Sequence, residues 1–393
     1  MKILLNVVLD LNKDGAGVTH FTEVARSLKK TGNEILALCP GFYPNRKKDW
    51  GFRIVYVPTF RKNLLAMLFY ELLNAFYLFF WVIKFKPDIV YCRYNVASVF
   101  PPLVTKMFNK PYFVEVNGIT ENELRQRKFP EWIISLVRIT EIINFKFAKK
   151  VICVTEGVKR VIKERFRIPD DRLKVVENGA DPEFFSPMDR DECRSRIKLP
   201  KDKFIVGFIG SLAPWRGLKY LVDASVMIKN SYPALYKNLL ILIGGEGEEK
   251  ENLLTLISKN ELDIYKFSGY INYQEVPYYM NSFDVCISPF EGKGDTSALG
   301  SPLKIFEYMA CGRPIIATDM DGVNTLYNSK DFILFIPPMN PVKIAEMINF
   351  CFKNREIIEE MGEKAREVFL QGYTWESTAK KVLNIFQESI RRK

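Results

Sequence analysis

Short apolar runs rich in β-branched and aromatic residues alternate along this chain with longer segments of helical periodicity. In the first half these runs fall at 2–8, 34–39, 53–58, 88–92, 111–116, 151–155 and 174–177. In the second half they fall at 204–209, 239–243, 265–268, 285–288, 314–318 and 332–336. Strands this continuously apolar belong to parallel sheets buried on both faces, with helices as crossovers. The series restarts beyond position 180, so the pattern predicts an α/β chain of two doubly wound Rossmann-like domains facing a cleft. The expected division is 1–180 and 181–373, with the junction in 178–187. Ligands of such domains bind beyond the C-terminal ends of the strands, so the chemistry is expected in the loops that follow them.

Three of those loops stand out. Gly15 and Gly17, in Asp14-Gly15-Ala16-Gly17-Val18-Thr19-His20, follow the first strand and open a helix expected to run to Lys30. Glycine lets backbone approach a ligand closely, and a helix N-terminus offers free amides to an anion. The G-x-G-x-x-H pattern lacks the third glycine of a dinucleotide fingerprint, and a tight turn explains it equally well. In the second half, Gly210-Ser211-Leu212-Ala213-Pro214-Trp215-Arg216-Gly217 follows a strand and precedes a helix. Arg216 sits where a guanidinium can grip a diphosphate; a merely solvated arginine is disfavoured there by the helix dipole. The third stretch runs from Gly300 to Pro314. It reads as a helix with Ser301 as N-cap and Pro302 as first helical residue, ended by Gly312. Amides near Leu303 and Lys304 then form an anion site, and the Glu307 carboxylate, one turn on, can accept both hydroxyls of a ribose.

Composition narrows the chemistry. The 393 residues are 48% hydrophobic and 26% charged, enough apolar material for two cores and too little charge for a disordered chain. The seven cysteines are scattered and never form a C-x-x-C pair, so buried free thiols in a reducing compartment are expected. The start of the chain reads as a first strand rather than a signal peptide. The single histidine, His20, excludes a histidine-rich metal site and a Ser-His-Asp triad built elsewhere. The net charge of +11 fits nucleic acid, or an anionic membrane surface together with anionic small molecules. No nucleic-acid motif accompanies it, so no nucleic-acid partner is expected.

Taken in order, Val176-Glu177-Asn178-Gly179-Ala180-Asp181, then Gly210 to Gly217, then Ser301 to Pro314 resemble glycosyltransferase family 4 of the GT-B fold. The closing Tyr373-Thr374-Trp375-Glu376 resembles the start of that family's terminal helix, so 374–393 is expected to return to the first domain. The resemblance is strong in the second domain and looser in the first. It implies a metal-independent, usually retaining transfer of a sugar from a nucleoside-diphosphate sugar, with no cofactor. Position by position it implies Glu307 on the donor ribose, Arg216 on the diphosphate in place of a lysine, and Gly17 approaching that diphosphate. Three departures accompany it. Ser211 stands where many members carry a second arginine, so Lys304 is expected to supply charge. Leu299 replaces the first glutamate of the E-x7-E pair, leaving Glu291 or Asp295 as substitutes. Arg93 replaces a first-domain histidine.

Departure of the nucleoside diphosphate builds negative charge, which fixed donors must stabilise; Arg216, the amides near Leu303 and the Gly15–Gly17 loop are the candidates. On the acceptor side the candidates are His20, Arg93, Asn117 and Glu121, each also explicable as an ordinary loop residue. The acceptor is expected to be lipid-linked or a glycan. The 64–83 stretch is long enough to span a membrane, but Asn63, Tyr70, Asn74, Tyr77, Trp81 and Lys84 share one stripe and Glu71 is costly in lipid, so it reads as a core helix. The basic, aromatic run 128–150 is expected to lie on an anionic leaflet, giving a cytoplasmic protein peripheral at the inner face of the membrane. The competing readings are a sugar-nucleotide epimerase on the same fold and a non-catalytic nucleotide-binding homologue.

Overall fold

A computed structural model describes residues 1–391 except positions 14, 43–48, 60–63, 96–98, 127, 293–299 and 327–328; the side chains of 64–68, 122–123 and 126 are likewise outside the description. The chain forms two compact units, Met1–Asn178 with Trp375–Lys393, and Gly179–Thr374.

In the first unit, seven parallel strands lie in the order β3-β2-β1-β4-β5-β6-β7. They are β1 (Lys2–Asn6), β2 (Glu34–Phe42), β3 (Arg53–Thr59), β4 (Ile89–Arg93), β5 (Tyr112–Val116), β6 (Lys150–Cys153) and β7 (Leu173–Val175). Each apolar run of the sequence becomes a strand, because sheet faces covered by helices on both sides favour apolar side chains. The covering helices are α1 (Ala16–Lys30), α2 (Leu64–Phe85), α3 (Phe100–Met107), α4 (Thr120–Gln126), α5 (Glu131–Phe147) and α6 (Glu156–Phe166). Thr155 caps α6 by accepting a hydrogen bond from the Val158 amide. The helix Trp375–Arg391 also belongs to this unit: it packs along α1, sets Phe386 against Tyr91 and Phe113, and Lys381 reaches the Glu177 carboxylate at 2.9 Å.

Helix α2 corrects the core-helix expectation. Tyr70, Glu71, Asn74, Leu78, Trp81 and Val82 face the sheet, and Asn74 accepts a hydrogen bond from the Asn6 amide of β1 at 2.8 Å. The opposite stripe, Phe69, Leu72, Phe76, Phe79, Phe80 and Ile83, points to solvent. The stripe that carries the polar atoms is thus largely inside, where β1 supplies a partner for Asn74, although Tyr77 and Lys84 of that stripe lie outside the core. Asn63 lies outside the described residues. Among the described residues, no helix is long and apolar enough to cross a membrane.

The second unit is a parallel sheet in the order β10-β9-β8-β11-β12-β13. Its strands are β8 (Phe204–Ile209), β9 (Leu239–Gly244), β10 (Tyr265–Gly269), β11 (Val285–Ser288), β12 (Ile315–Thr318) and β13 (Ile333–Ile336). Strand order reverses beside β8 here and beside β1 in the first unit, placing each unit's ligand-binding crevice beyond the ends of those strands. All seven cysteines are free and buried.

Candidate active site

The second unit gathers its chemistry beyond β8 and β11. After β8 the chain passes through Gly210 (φ 149°) into a short 3-10 turn, Pro214–Arg216, and then through Gly217 (φ 69°) into the helix Leu218–Ser231. Gly217 is obligatory on two counts: its φ lies in the left-handed region, and a Cβ would collide with the Pro289 carbonyl oxygen of the loop after β11. This close approach brings Arg216 over the Phe290 ring, 4.8 Å from its centroid. Arg216 therefore sits in a 3-10 turn rather than at the first turn of the following helix.

The helix carrying Lys304 and Glu307 spans Leu303–Ala310. Pro302 is its N-cap with ψ 113°, so the helix starts one residue later than the spacing predicts; Pro302 stays extended and Ser301 lies before the cap. Lys304 is buried, with its ammonium 3.6 Å from the Phe208 ring centroid and 5.9 Å from that of Phe290. Its Nζ has no hydrogen-bond partner among the described residues, and neither does Nε of Arg216. A Cβ at Gly210 would lie 2.8 Å from that ammonium, so this glycine keeps open the space above it. Burial pulls the Lys304 ammonium well below the ordinary lysine range; the Arg216 cation pushes in the same direction, and Glu307 opposes both. Burial also lowers Arg216 and pushes the Glu307 carboxyl up to about 7, with Lys304 opposing the latter. Arg216 further donates to the exposed Ser211 hydroxyl at 3.4 Å.

Two basic side chains, whose Nζ (Lys304) and Nε (Arg216) have no hydrogen-bond partner among the described residues, meet here with a helix start and a carboxyl that burial pushes toward its neutral form. Gly210, Ser211, Arg216, Lys304 and Glu307 thus surround one region, with Leu303 and Ser301 at its helix start. Glu291 is already engaged: Lys219 reaches it at 2.9 Å and the Tyr220 hydroxyl at 3.1 Å. Asp295 and Leu299 lie outside the described residues.

The first unit has its own cluster, centred on Glu115 near the end of β5. His20 Nε2 lies 2.8 Å from Oε1, Asn117 donates to the same oxygen at 2.6 Å, and the Tyr91 hydroxyl donates to Oε2. Burial alone would raise this carboxyl; His20, Arg93 and the Tyr91 hydrogen bond reverse that and hold it well below the carboxylate range. Arg93 donates to the Gly17 carbonyl at 3.0 Å, tying the end of β4 to the glycine loop. Gly15, in extended geometry, precedes α1, and Gly17 lies in its first turn. His20 is buried in α1, edge-on to Trp375, and with Asn6, Tyr91, Arg93 and Glu115 lines a small hollow. Glu121 is likewise buried and ion-paired, with Arg125 and Arg165 at 3.3 and 3.2 Å. Sequence reasoning missed Glu115 itself. A carboxylate inside an otherwise apolar strand was the visible signal, because a buried charge requires donors around it.

Residues 17–184 match the model of Glycosyltransferase Family 4, and residues 189–368 match that of Glycosyl transferases group 1. The chain belongs to the group 1 glycosyltransferases. An uncharacterised glycosyltransferase of Methanocaldococcus jannaschii is 23% identical over 63% of this chain, and the match spans only 60% of that relative's length. A wider relative is the N,N'-diacetylbacillosaminyl-diphospho-undecaprenol alpha-1,3-N-acetylgalactosaminyltransferase of Campylobacter jejuni, 22% identical over 97% of this chain and 98% of its own length. In fold, the chain is similar to the Anabaena protein HepE crystallised with UDP, with a TM-score of 0.77 at 17% identity, covering 99% of this chain and all of the other. The same two-domain GT-B fold is shared with a glycosyltransferase from Rickettsia africae, with a TM-score of 0.78 at 20% identity, covering all of this chain and 99% of the other.

Proposed function

We propose that this glycosyltransferase moves a sugar from a nucleoside-diphosphate sugar to a lipid-linked acceptor, with retention and without a metal ion, at the inner face of a membrane. The observation that carries the donor half is the buried Lys304 ammonium, without a hydrogen-bond partner among the described residues, beside Arg216 and Glu307. A buried cation without a counter-ion is costly, and a diphosphate arriving at that point relieves the cost. Arg216, Lys304 and the amides near Leu303 take the diphosphate, and Ser211 and Gly210 leave room for it. Glu307 accepts the ribose hydroxyls. As the bond from anomeric carbon to phosphate oxygen breaks, charge grows on the leaving phosphate, and donors already in place need no reorganisation to meet it. Those two cations supply the charge a metal would otherwise bring. In the first unit, Arg93 fixes the Gly15–Gly17 loop while His20 and Asn117, held by Glu115, serve the acceptor side.

The lipid-linked acceptor is supported by the Campylobacter relative, whose own acceptor is a diphospho-undecaprenol. A thermal-shift screen against UDP, GDP, ADP, dTDP and CMP tests the donor half. A nucleotide present at about 100 times its Kd adds about 2.7 kcal/mol of stability. Selective stabilisation by one nucleoside diphosphate without added metal, lost in Glu307→Ala, is the expected result. A flat response to all five overturns the donor reading.

A further inference from the structure

The outward stripe of α2 does not end at that helix. Helix α2 packs against α3, and α3 against α5. The Phe79 ring meets that of Phe108 at 5.1 Å, carrying the apolar surface onto α3, where Leu103 and Met107 are also exposed. Lys106 of α3 lies 4.8 Å from the Phe147 ring centroid of α5, carrying it further. Helix α5 then presents Trp132 (60% exposed), Leu136 and Ile139 on one side. Phe76 of α2 is 65% exposed. Monomeric proteins rarely leave so many large apolar side chains side by side in water, and a patch of this kind marks a surface that something covers.

The charges around the patch say what covers it. Lys84, Lys106, Lys128, Arg138 and Lys146 are exposed on or beside these helices. The exposed acid among them, Glu131, is already bound by Arg125. Lys84 lies over the Phe80 ring at 5.4 Å, its stem along the apolar surface and its charge at the edge. An apolar stripe of Phe, Trp and Leu with a cationic rim matches an anionic lipid leaflet, in which rings enter the acyl boundary and ammonium groups meet headgroup phosphates. Meanwhile α2 is held from the inside by the Asn6–Asn74 pair, so its outer face is presented on a fixed support.

We propose that α2, α3 and α5 form one lipid-docking face that seats the first unit on an anionic bilayer, with α2 lying along the membrane surface rather than through it. This rests on the membrane-attached reading above and names the surface that performs it. It also widens the sequence expectation, which placed contact in 128–150 alone and read α2 as core.

The test is flotation of the full chain with vesicles of phosphatidylcholine alone and of phosphatidylcholine with phosphatidylglycerol, at low and high salt. The wild-type chain is expected to partition at least about tenfold better into the anionic vesicles, less so at high salt. The triple variant Phe76→Ser, Phe80→Ser, Trp132→Ser is expected to lose at least about tenfold in partitioning while melting no lower, since these side chains are exposed. The rim variant Arg138→Glu, Lys146→Glu is expected to lose the preference for anionic lipid. Equal partitioning of wild type and triple variant overturns the proposal. So does a stable wild-type dimer that the triple variant dissolves without any vesicle binding, which would make the face a contact between copies. Nucleoside-diphosphate stabilisation is measured on the same preparations. Vesicle binding without nucleotide binding keeps the docking face and removes the donor reading; nucleotide binding without vesicle binding does the reverse.

Discussion

The Lys304 ammonium stands 3.6 Å from the centroid of the Phe208 ring, with no hydrogen-bond partner for its Nζ among the described residues. The ring's quadrupole offers some compensation, but less than the solvation a lysine gives up on burial. The unliganded protein thus buries a basic group whose charged form is poorly compensated, an arrangement that makes physical sense where an anion is to be bound.

From this follows the outcome for Lys304→Met, which replaces the cation by an apolar chain of similar length. The unliganded variant is expected to melt higher, by about 2–4 °C for each kcal/mol relieved. Its stabilisation by nucleoside diphosphate is expected to disappear. Scanning calorimetry with and without nucleotide reads both effects. A lower melting point together with an intact nucleotide response would show that Lys304 is a packing residue.

Arg216 is expected to act at the same phosphate but through the transition state. Its guanidinium is positioned by the Phe290 face and the turn before Gly217, so it needs no rearrangement when charge develops. Arg216→Ala is expected to lower kcat about 10²–10³-fold, or ~3 kcal/mol, by analogy with loss of one preorganised oxyanion donor. Unchanged turnover would remove the residue from the mechanism.

The Glu307 carboxyl sets a pH dependence. Burial raises it to about 7 from 4.5, so the folded chain holds a proton there that the unfolded chain has released. Its contribution to stability is fully present below 4.5 and is lost as pH rises through about 7. Ligand affinity runs the opposite way, because an ionised carboxylate is the stronger acceptor for ribose hydroxyls. Nucleoside-diphosphate affinity is therefore expected to rise between about pH 6 and 8, and Glu307→Gln to show only the part due to the nucleotide's own phosphate. Titration calorimetry of both proteins across that range separates the contributions; identical profiles would dissociate Glu307 from the site.

How much of this the sequence reveals depends on which physical signal each residue carries. Every strand is legible, because a doubly covered parallel sheet forces continuous apolar runs such as Phe204–Ile209. Arg216, Lys304 and Glu307 are legible through glycine and proline punctuation around them. The outward face of α2 is not: a helix apolar nearly all round leaves open which side meets the sheet, and the Asn6–Asn74 pair decides it only in three dimensions. The engagement of Glu291 by Lys219 is hidden for the same reason, since the partners are far apart in sequence. The aromatic platforms Phe208 and Phe290 read in sequence as ordinary core.

Glu115 is the residue on which the first-unit cluster turns. It is buried, and His20, Asn117 and Tyr91 all converge on its two oxygens. Removing the carboxylate leaves the Asn117 and Tyr91 donors without their acceptor and His20 without its partner, so Glu115→Ala is expected to cost about 3–5 kcal/mol of stability at neutral pH. The sign with pH is fixed by the downward shift: the contribution is present above the unfolded value of 4.5 and is lost as pH falls through the lower folded value. Denaturant melts of Glu115→Ala, His20→Ala and the double variant measure their coupling, which contact between the two side chains predicts to be about 0.5–3 kcal/mol. Activity then separates two roles for His20. If the imidazole meets the acceptor, His20→Ala lowers kcat by more than its loss of stability explains, whereas a histidine that only supports Glu115 leaves kcat of the folded fraction at the wild-type value.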